Sequence, residues 1–453
     1  MSDIEANRLS SRVSRYARVG AGVGTTAARI AGARLFGEGD TAREGQLLAA
    51  TLGSLKGPLM KVAQMLATIP DIIPAEWATE FVKLQAHAPP MGRVFVKRRM
   101  AAELGPDWQA RFSSFDFEPA HAASLGQVHR AIGPDGRPLA VKLQYPDMAS
   151  AVEADLGQLN VLFSLVGRLR PQIDTRNLRA EIADRLREEL DYARELKHMR
   201  LYRAMLADEA AIRVPEPVED LSTGRLLSMG WLEGRGLLAF KSAEQHVRDH
   251  LAEVMFRAWW KPFCRYGIIH GDPHLGNYAA YDVDGRPAGI NLLDFGCIRV
   301  FPPDFVAGVI EHYRGHLNGD RARIEAAYAA WGFRGLTPEM IDTLDIWAKF
   351  LYGPLIDDRK RRLAEGVTTA QFGRREAAQV ADGLSRHGTV TPPAEFLFMD
   401  RAAIGLGAVF LHLDAELNFH RLFEEFIEGF DRDALAARQA EMLADAGFEV
   451  RPA

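Results

Sequence analysis

The stretch from Tyr266 to Arg299, YGIIHGDPHLGNYAAYDVDGRPAGINLLDFGCIR, constrains what this chain can become more than any other. It holds His270-Gly271-Asp272, then Asn277 five residues after the aspartate, then Asp294-Phe295-Gly296. Between them, Ala279 to Tyr281 and Gly289 to Leu293 read as two short strands around an Asp284-Gly285 turn. A carboxylate, an amide and a second carboxylate then stand at the two ends of one hairpin, the order and spacing of a phosphoryl-transfer loop and its metal aspartate. Asp272, ionised at neutral pH, can orient a hydroxyl or a water. Asn277 and Asp294 offer hard oxygens that suit Mg2+. A polar turn between ordinary acids would account for either motif alone, but not for all three elements in this order.

At 453 residues the chain is too long for one simple domain, and two lobes with an extension fit it. A net charge of −5 argues against a nucleic-acid partner. Cys264 and Cys297 form no CxxC pair, which points to a reducing compartment without structural zinc or disulfides. His270 and His274 are four apart but have no further clustered ligands for zinc. No run of about 20 apolar residues is present to span a bilayer, and no secretory signal opens the sequence.

Residues 1–40 are basic, then small. Arg8, Arg12 and Arg15 can share one helical face, with Leu9, Val13 and Tyr16 beside them. Two readings fit: a membrane-surface segment drawn to anionic lipid, or a solvated end. Residues 41–110 read as a helical extension. Its apolar stripe runs through Leu52, Leu55, Leu59, Val62 and Leu66, with Lys61 and Gln64 on the opposite side. Pro58 kinks it or starts a second helix.

Residues 111–229 read as a small lobe built on an antiparallel sheet. Ala122, Ala123, Ser124, Leu125, Gly126 and Gln127 form a small-residue tip between strands, able to lay backbone N–H groups over a nucleotide's phosphates. Alanine disfavours positive φ, so this tip is stiffer than a glycine-rich one. A Pro134-Asp135-Gly136 turn leads into the strand Pro138 to Gln144, which carries Lys142 where a kinase keeps its phosphate-binding lysine. A buried ammonium needs an acid. On one continuous helix through EIADRLREELDYARELKH, Glu189 and Glu195 lie about 240° apart at 100° per residue. Glu189 is therefore assigned to Lys142, and Glu195 to a partner outside the sheet such as Lys61. Met229 and Leu232 flank the hinge where an adenine could meet the backbone. Residues 230–453 form a mostly helical large lobe, with no long activation segment and no Ala-Pro-Glu after Gly296.

The pieces AASLGQVH at 122–129, AVKLQYP at 140–146, EELDYARE at 188–195, HGDPHLGN at 270–277 and LLDFG at 292–296 closely resemble the UbiB-type atypical kinases, from about residue 41 to about 430. That family's KxGQ motif looks like Lys61-Val62-Ala63-Gln64 here, with alanine in place of glycine. The resemblance implies an α+β, two-lobed protein-kinase-like fold with a helical N-terminal extension laid across the active site. It implies ATP and Mg2+ as cofactors and atypical kinase or ATPase activity supporting biosynthesis of ubiquinone, an isoprenoid lipid. By the same resemblance Lys142 holds phosphates and pairs with Glu189, Asn277 and Asp294 hold the metal, and Asp272 acts at the nucleophile. Lys61 and Gln64 gate the site through Glu195. Partners would be ATP, a lipid or quinone precursor and a peripheral membrane contact. The place of action would be cytoplasmic, at the inner membrane face, or the matrix side of a mitochondrion in a eukaryote. Two other functions stay open: a small-molecule phosphotransferase of the aminoglycoside or choline kinase type, and a nucleotide-binding scaffold for a lipid-pathway complex.

Overall fold

The computed structural model describes Val62 and residues 91–122, 125–154, 156, 175–364, 372–388, 390 and 392–449. The expectations for residues 1–40, for Lys61, Gln64 and the apolar stripe beside them other than Val62, and for Ala123 and Ser124 lie outside the described residues. The described residues fall into two compact units. The first takes residues up to 196 and 217–231, and the second takes 197–216 and everything from 232.

In the first unit, helix α1 (Arg93–Leu104) precedes three antiparallel strands, β1 (Ser114–Ala122), β2 (Gly126–Ile132) and β3 (Pro138–Gln144). The β2–β3 turn forms where the Pro-Asp-Gly signal lies, with Gly136 at φ +81° and its N–H donating to the Gly133 carbonyl at 3.0 Å. Helix α2 (Thr175–Glu188) and the start of α3 (Tyr192–Met205) follow; the end of α3 and the two-residue strand β4 (Ile212–Arg213) count with the second unit, and strand β5 (Leu226–Gly230) belongs again to the first. The sheet order is β1-β2-β3-β5, so β3 is central and sandwiched by ladders on both edges. Side chains alternate across a strand. Leu139, Val141 and Leu143 enter a core with Val96 and Met100 of α1 and with Trp108 and Phe112. Each such fully buried aliphatic side chain contributes about 1.5–3 kcal/mol. Lys142 is thereby turned to the other face of the sheet.

Where one helix was expected through residues 181–198, the chain makes two. Glu189, Leu190 and Asp191 interrupt it. Asp191 causes the restart: its Oδ1 accepts from the Arg194 N–H at 3.0 Å, which caps α3 from the side.

A buried polar chain ties α1 to the sheet. His129 Nδ1–H donates to the Asp116 carbonyl at 2.8 Å, so its Nε2 accepts from the Gln127 amide at 2.8 Å. Gln127 Oε1 in turn accepts from the Met91 N–H at 2.6 Å. The arrangement requires a neutral imidazole, and burial lowers the His129 pKa below its ordinary value.

The second unit is organised on α4 (Gln245–Tyr266), whose Phe256, Trp259, Trp260 and Phe263 are buried. Phe423 stacks edge-on to Trp260 at 4.8 Å, from helix Phe419–Ile427. Gly267 at φ +65° closes α4 with an N–H bond to the Phe263 carbonyl at 2.8 Å. The chain then enters β7 (Ile268–His270), the short strand β6 (Arg235–Gly236) having come before α4. Strands β8 (Tyr278–Val283) and β9 (Arg286–Leu292) form the expected hairpin. Asp284 and Gly285 both have positive φ, +50° and +75°, as a two-residue type I′ turn demands. Their sheet runs β4-β9-β8-β6, with β4 parallel to β9. Gly289 is obligatory here, because a Cβ at that position would collide with the Ala211 carbonyl. Strand β10 (Ile298–Val300) pairs antiparallel with β7.

The rest is largely helical: α5 (Pro303–Asn318), α6 (Arg321–Ala330), α7 (Pro338–Tyr352), α8 (Arg374–His387), α9 (Ala394–Leu413), α10 (Phe419–Ile427) and α11 (Arg432–Asp445). Among the described residues, no helix is long and apolar enough to cross a membrane.

The lowered His129 pKa fixes the sign of a pH effect. The unfolded chain takes up a proton below about pH 6.5 while the folded one resists it, so stability is lost as pH falls through and below that value. His129→Gln should cost about 1–3 kcal/mol at pH 7.5. In urea denaturation, the gap to the wild-type chain should narrow towards pH 5; a gap constant with pH would refute the neutral-imidazole assignment.

Candidate active site

In the first unit, the Lys142 ammonium lies 2.7 and 2.9 Å from the two carboxylate oxygens of Glu195. Both side chains are buried, 9% and 2% exposed. The Tyr192 ring lies 5.1 Å below the ammonium, a cation–π contact from the first residue of α3. This corrects the assignment of Glu189 to Lys142. The two glutamates do not share a helix, so counting 100° per residue from one to the other fails. Glu189 sits half-buried in the α2–α3 turn, and the cap at Asp191 restarts the helix so that Glu195 faces the strand. A contact between Glu195 and Lys61 lies outside the described residues.

The loop after β1 is only partly as expected. Ala122 is exposed, whereas Leu125, Gly126 and Gln127 are buried. Gly126 packs so tightly that a Cβ would strike the Leu143 carbonyl. Gln127 is corrected from a nucleotide contact to a packing residue: its amide is engaged by Met91 and His129. Met229 is buried on β5 opposite Ala140, and Leu232, half-buried, belongs to the second unit.

In the second unit, Asp272, Asn277 and Asp294 are all half-buried and are arranged by backbone bonds. His270, itself 3% exposed, donates from Nε2 to the Asp294 carbonyl at 2.7 Å. Its Nδ1 accepts from the Asp272 N–H at 3.3 Å. One imidazole, fixed in one tautomer, therefore spans the two aspartates. Asn277 Nδ2 donates to the Asp272 carbonyl at 2.9 Å, which leaves Oδ1 as the atom it presents to a cation. Asn277 O accepts from the Leu293 N–H at 2.9 Å, and Asp294 Oδ1 accepts from the Gly296 N–H at 3.0 Å. Phe295 is fully buried against Tyr202, centroids 5.7 Å apart, and its carbonyl accepts from His198 Nδ1 at 3.0 Å.

Charge in this cluster is legible in Tyr278. Burial first, then the Asp272 and Asp294 carboxylates, raise its phenol well above the ordinary value, so it stays protonated. Sequence reasoning quoted His270 without a role and missed Tyr192, Tyr202 and His198. His270 and Tyr192 stand inside quoted motifs, whereas nothing in the sequence marks His198 or Tyr202 as a neighbour of Phe295.

The family described as ABC1 atypical kinase-like domain matches residues 83–328. The rat atypical kinase COQ8B, mitochondrial, is 28% identical over 435 residues, 92% of this chain and 80% of that protein. The Caenorhabditis elegans atypical kinase coq-8, mitochondrial, is 28% identical over 395 residues, 85% of this chain and 51% of that protein. The chain thus spans about half the length of the nematode relative. The solved Rv3197–erythromycin complex from Mycobacterium tuberculosis superposes with a TM-score of 0.59 at 28% identity, covering 84% of this chain and 94% of that one. The expected two-lobed, kinase-like α+β fold is the fold of this chain.

Removing one member of a buried ion pair strands the other, at about 3–5 kcal/mol. Lys142→Met and Glu195→Leu should each be strongly destabilising in urea unfolding, while the double variant should cost much less than their sum. Additive losses would mean that the two side chains do not depend on each other.

Proposed function

From the premise that the chain belongs to the ABC1 atypical kinase-like family, we propose that it is an ATP-dependent atypical kinase or ATPase serving ubiquinone or a related isoprenoid-lipid pathway. The observation that carries the reading is the His270 bridge, which fixes the Asp272 loop and the Asp294 loop to each other before any ligand arrives. Preset oxygens of this kind favour catalysis because they need little reorganisation.

The residues present fit Mg2+ and a nucleotide. Asn277 Oδ1 and the Asp294 carboxylate would hold the metal, an all-oxygen donor set of the kind Mg2+ takes alongside phosphates and waters. When bound, the metal supplies charge neutralisation on the transferred phosphoryl group. Lys142, buried and oriented by Glu195, would hold the phosphates. Asp272 would orient the attacking hydroxyl or water and take its proton. Ala122 would contribute to the stiff phosphate loop, with Ala123 and Ser124. Lys61 and Gln64 would gate the site, and Met229 and Leu232 would border the adenine. The basic segment at Arg8, Arg12 and Arg15 would supply contact with an anionic membrane.

The likeness to the erythromycin complex favours a second reading, transfer to a small molecule. ATP turnover by the full chain should rise with anionic liposomes and a phenolic quinone-precursor mimic, without phosphorylation of peptides. Stimulation by erythromycin alone would favour the second reading. No turnover under any condition would overturn both.

Asp294→Asn should abolish thermal stabilisation by Mg-ATP, and Asp272→Asn should lower turnover by about a hundredfold or more. Stabilisation by Mg-ATP unchanged in Asp294→Asn would remove the metal role.

A further inference from the structure

Away from the residues discussed so far, α5 and α7 bring together a carboxylate and two imidazoles that carry unpaired ring nitrogens. His312 and His316 are four residues apart on α5 and so project from one helical face, and Asp345 meets them from α7. His312 Nε2 and His316 Nε2 lie 3.9 and 3.7 Å from Asp345 Oδ1, beyond hydrogen-bond length. The ring centroids are 4.7 Å apart with planes at 77°. One donor atom from each of the three lies within 4.8 Å of the other two. All three side chains are buried, at 3%, 4% and 3% exposure.

Both nitrogens of His312 and the Nε2 of His316 have no hydrogen-bond partner. Buried polar atoms are nearly always paired, and each orphan costs about 1–3 kcal/mol. Two of these orphans, His312 Nε2 and His316 Nε2, converge on Asp345 Oδ1 and call for a common partner that accepts a lone pair from each.

We propose that His312, His316 and Asp345 form a binding site for one divalent ion of the zinc class, which joins α5 to α7 in the second unit. Donors around tetrahedral zinc at about 2.0–2.2 Å stand about 3.4 Å apart, so the two imidazole–carboxylate spacings, 3.9 and 3.7 Å, need to close by only a few tenths of an ångström. The imidazole–carboxylate set differs in kind from the all-oxygen set of Asn277 and Asp294, and it selects a borderline transition ion over Mg2+.

The surroundings favour ligation. Burial, helped by His316, pushes the His312 pKa down to about 3, and burial also lowers that of His316, so both rings present lone pairs at neutral pH. Burial raises the Asp345 carboxyl, and a bound cation would ionise it and release the proton to solvent. The Tyr328 hydroxyl donates to Asp345 Oδ1 at 3.2 Å and fixes its orientation. Arg321 stands 3.9 Å from Asp345 Oδ2, and Lys349 also faces the cluster. Arg321 is drawn off by Glu325 at 2.8 Å and by Asp342, which lessens its repulsion of an incoming ion. Trp331 and Tyr352 rings pack against His312, with centroids 5.1 and 5.6 Å away, and a water would complete a four-coordinate ion. Tyr328 also lines a surface pocket of about 290 Å³ with Glu325 and Ile341.

The test uses the full chain, stripped by a chelator and titrated with Zn2+ and with Co2+ at pH 7.5 by calorimetry and visible absorbance. The expected result is one equivalent bound, a four-coordinate Co2+ spectrum and a raised melting temperature with Zn2+. His316→Gln and the isosteric Asp345→Asn should each weaken binding by more than the roughly 10–100-fold that loss of an outer hydrogen-bond partner of a ligand costs. His246→Gln, at an exposed imidazole, should leave it unchanged. Should a variant fail to fold, X-ray absorption of the Zn2+-loaded wild-type chain decides, since imidazole and oxygen scattering is expected. No stoichiometric binding, equal affinity in His316→Gln and Asp345→Asn, or a sulfur shell would overturn the proposal.

Discussion

A positive charge taken out of water has to be met by a negative one, and the first unit is arranged around that demand at Lys142. The alternation of β3 sends Leu139, Val141 and Leu143 into the aromatic core and so sends Lys142 to the opposite face. There the chain must deliver a carboxylate to within hydrogen-bond distance, and Glu195 does so with both oxygens. The break at residues 189–191 is the device that aims it. By ending α2 and capping α3 afresh, Asp191 sets the rotation of the second helix independently of the first.

The same economy governs the second unit, with neutral partners in place of ions. The His270 imidazole has one donor and one acceptor, and each is used on the backbone of a different loop. Rings of Tyr202 and Tyr278 pack around it at 6.2 and 5.9 Å, so the imidazole cannot turn without disturbing the core beneath. Asp272, Asn277 and Asp294, the side chains to which the proposal gives chemical roles, stay half-buried while their main chain is held by hydrogen bonds. Rigid backbone under accessible oxygens is what a preorganised site requires.

Local signals were legible in the sequence, and pairings across long separations were not. The Asp284-Gly285 turn, the span of β3 and the Asp-Asn-Asp order follow from neighbours in sequence, and each is found where its residues stand. The partner of Lys142 was misread because a 100° step was carried across a helix break that one capping aspartate creates. Gln127 was misread because its partner, Met91, is 36 residues earlier and is a backbone group with no sequence signature. His312 and His316 show a four-residue spacing in EHYRGHL, but the carboxylate between them comes from another helix, so the cluster is invisible until α5 and α7 are packed.

The latch between Gln127 and Met91 has a mechanical consequence. Since the Met91 amide is pegged to β2 two residues after Leu125, tension on the chain entering α1 is delivered to the strand that begins at the alanine-rich tip. A displacement of the Met91 backbone would reach the start of β2 through the Gln127 side chain, so the entry to α1 and the loop that β2 carries are mechanically coupled.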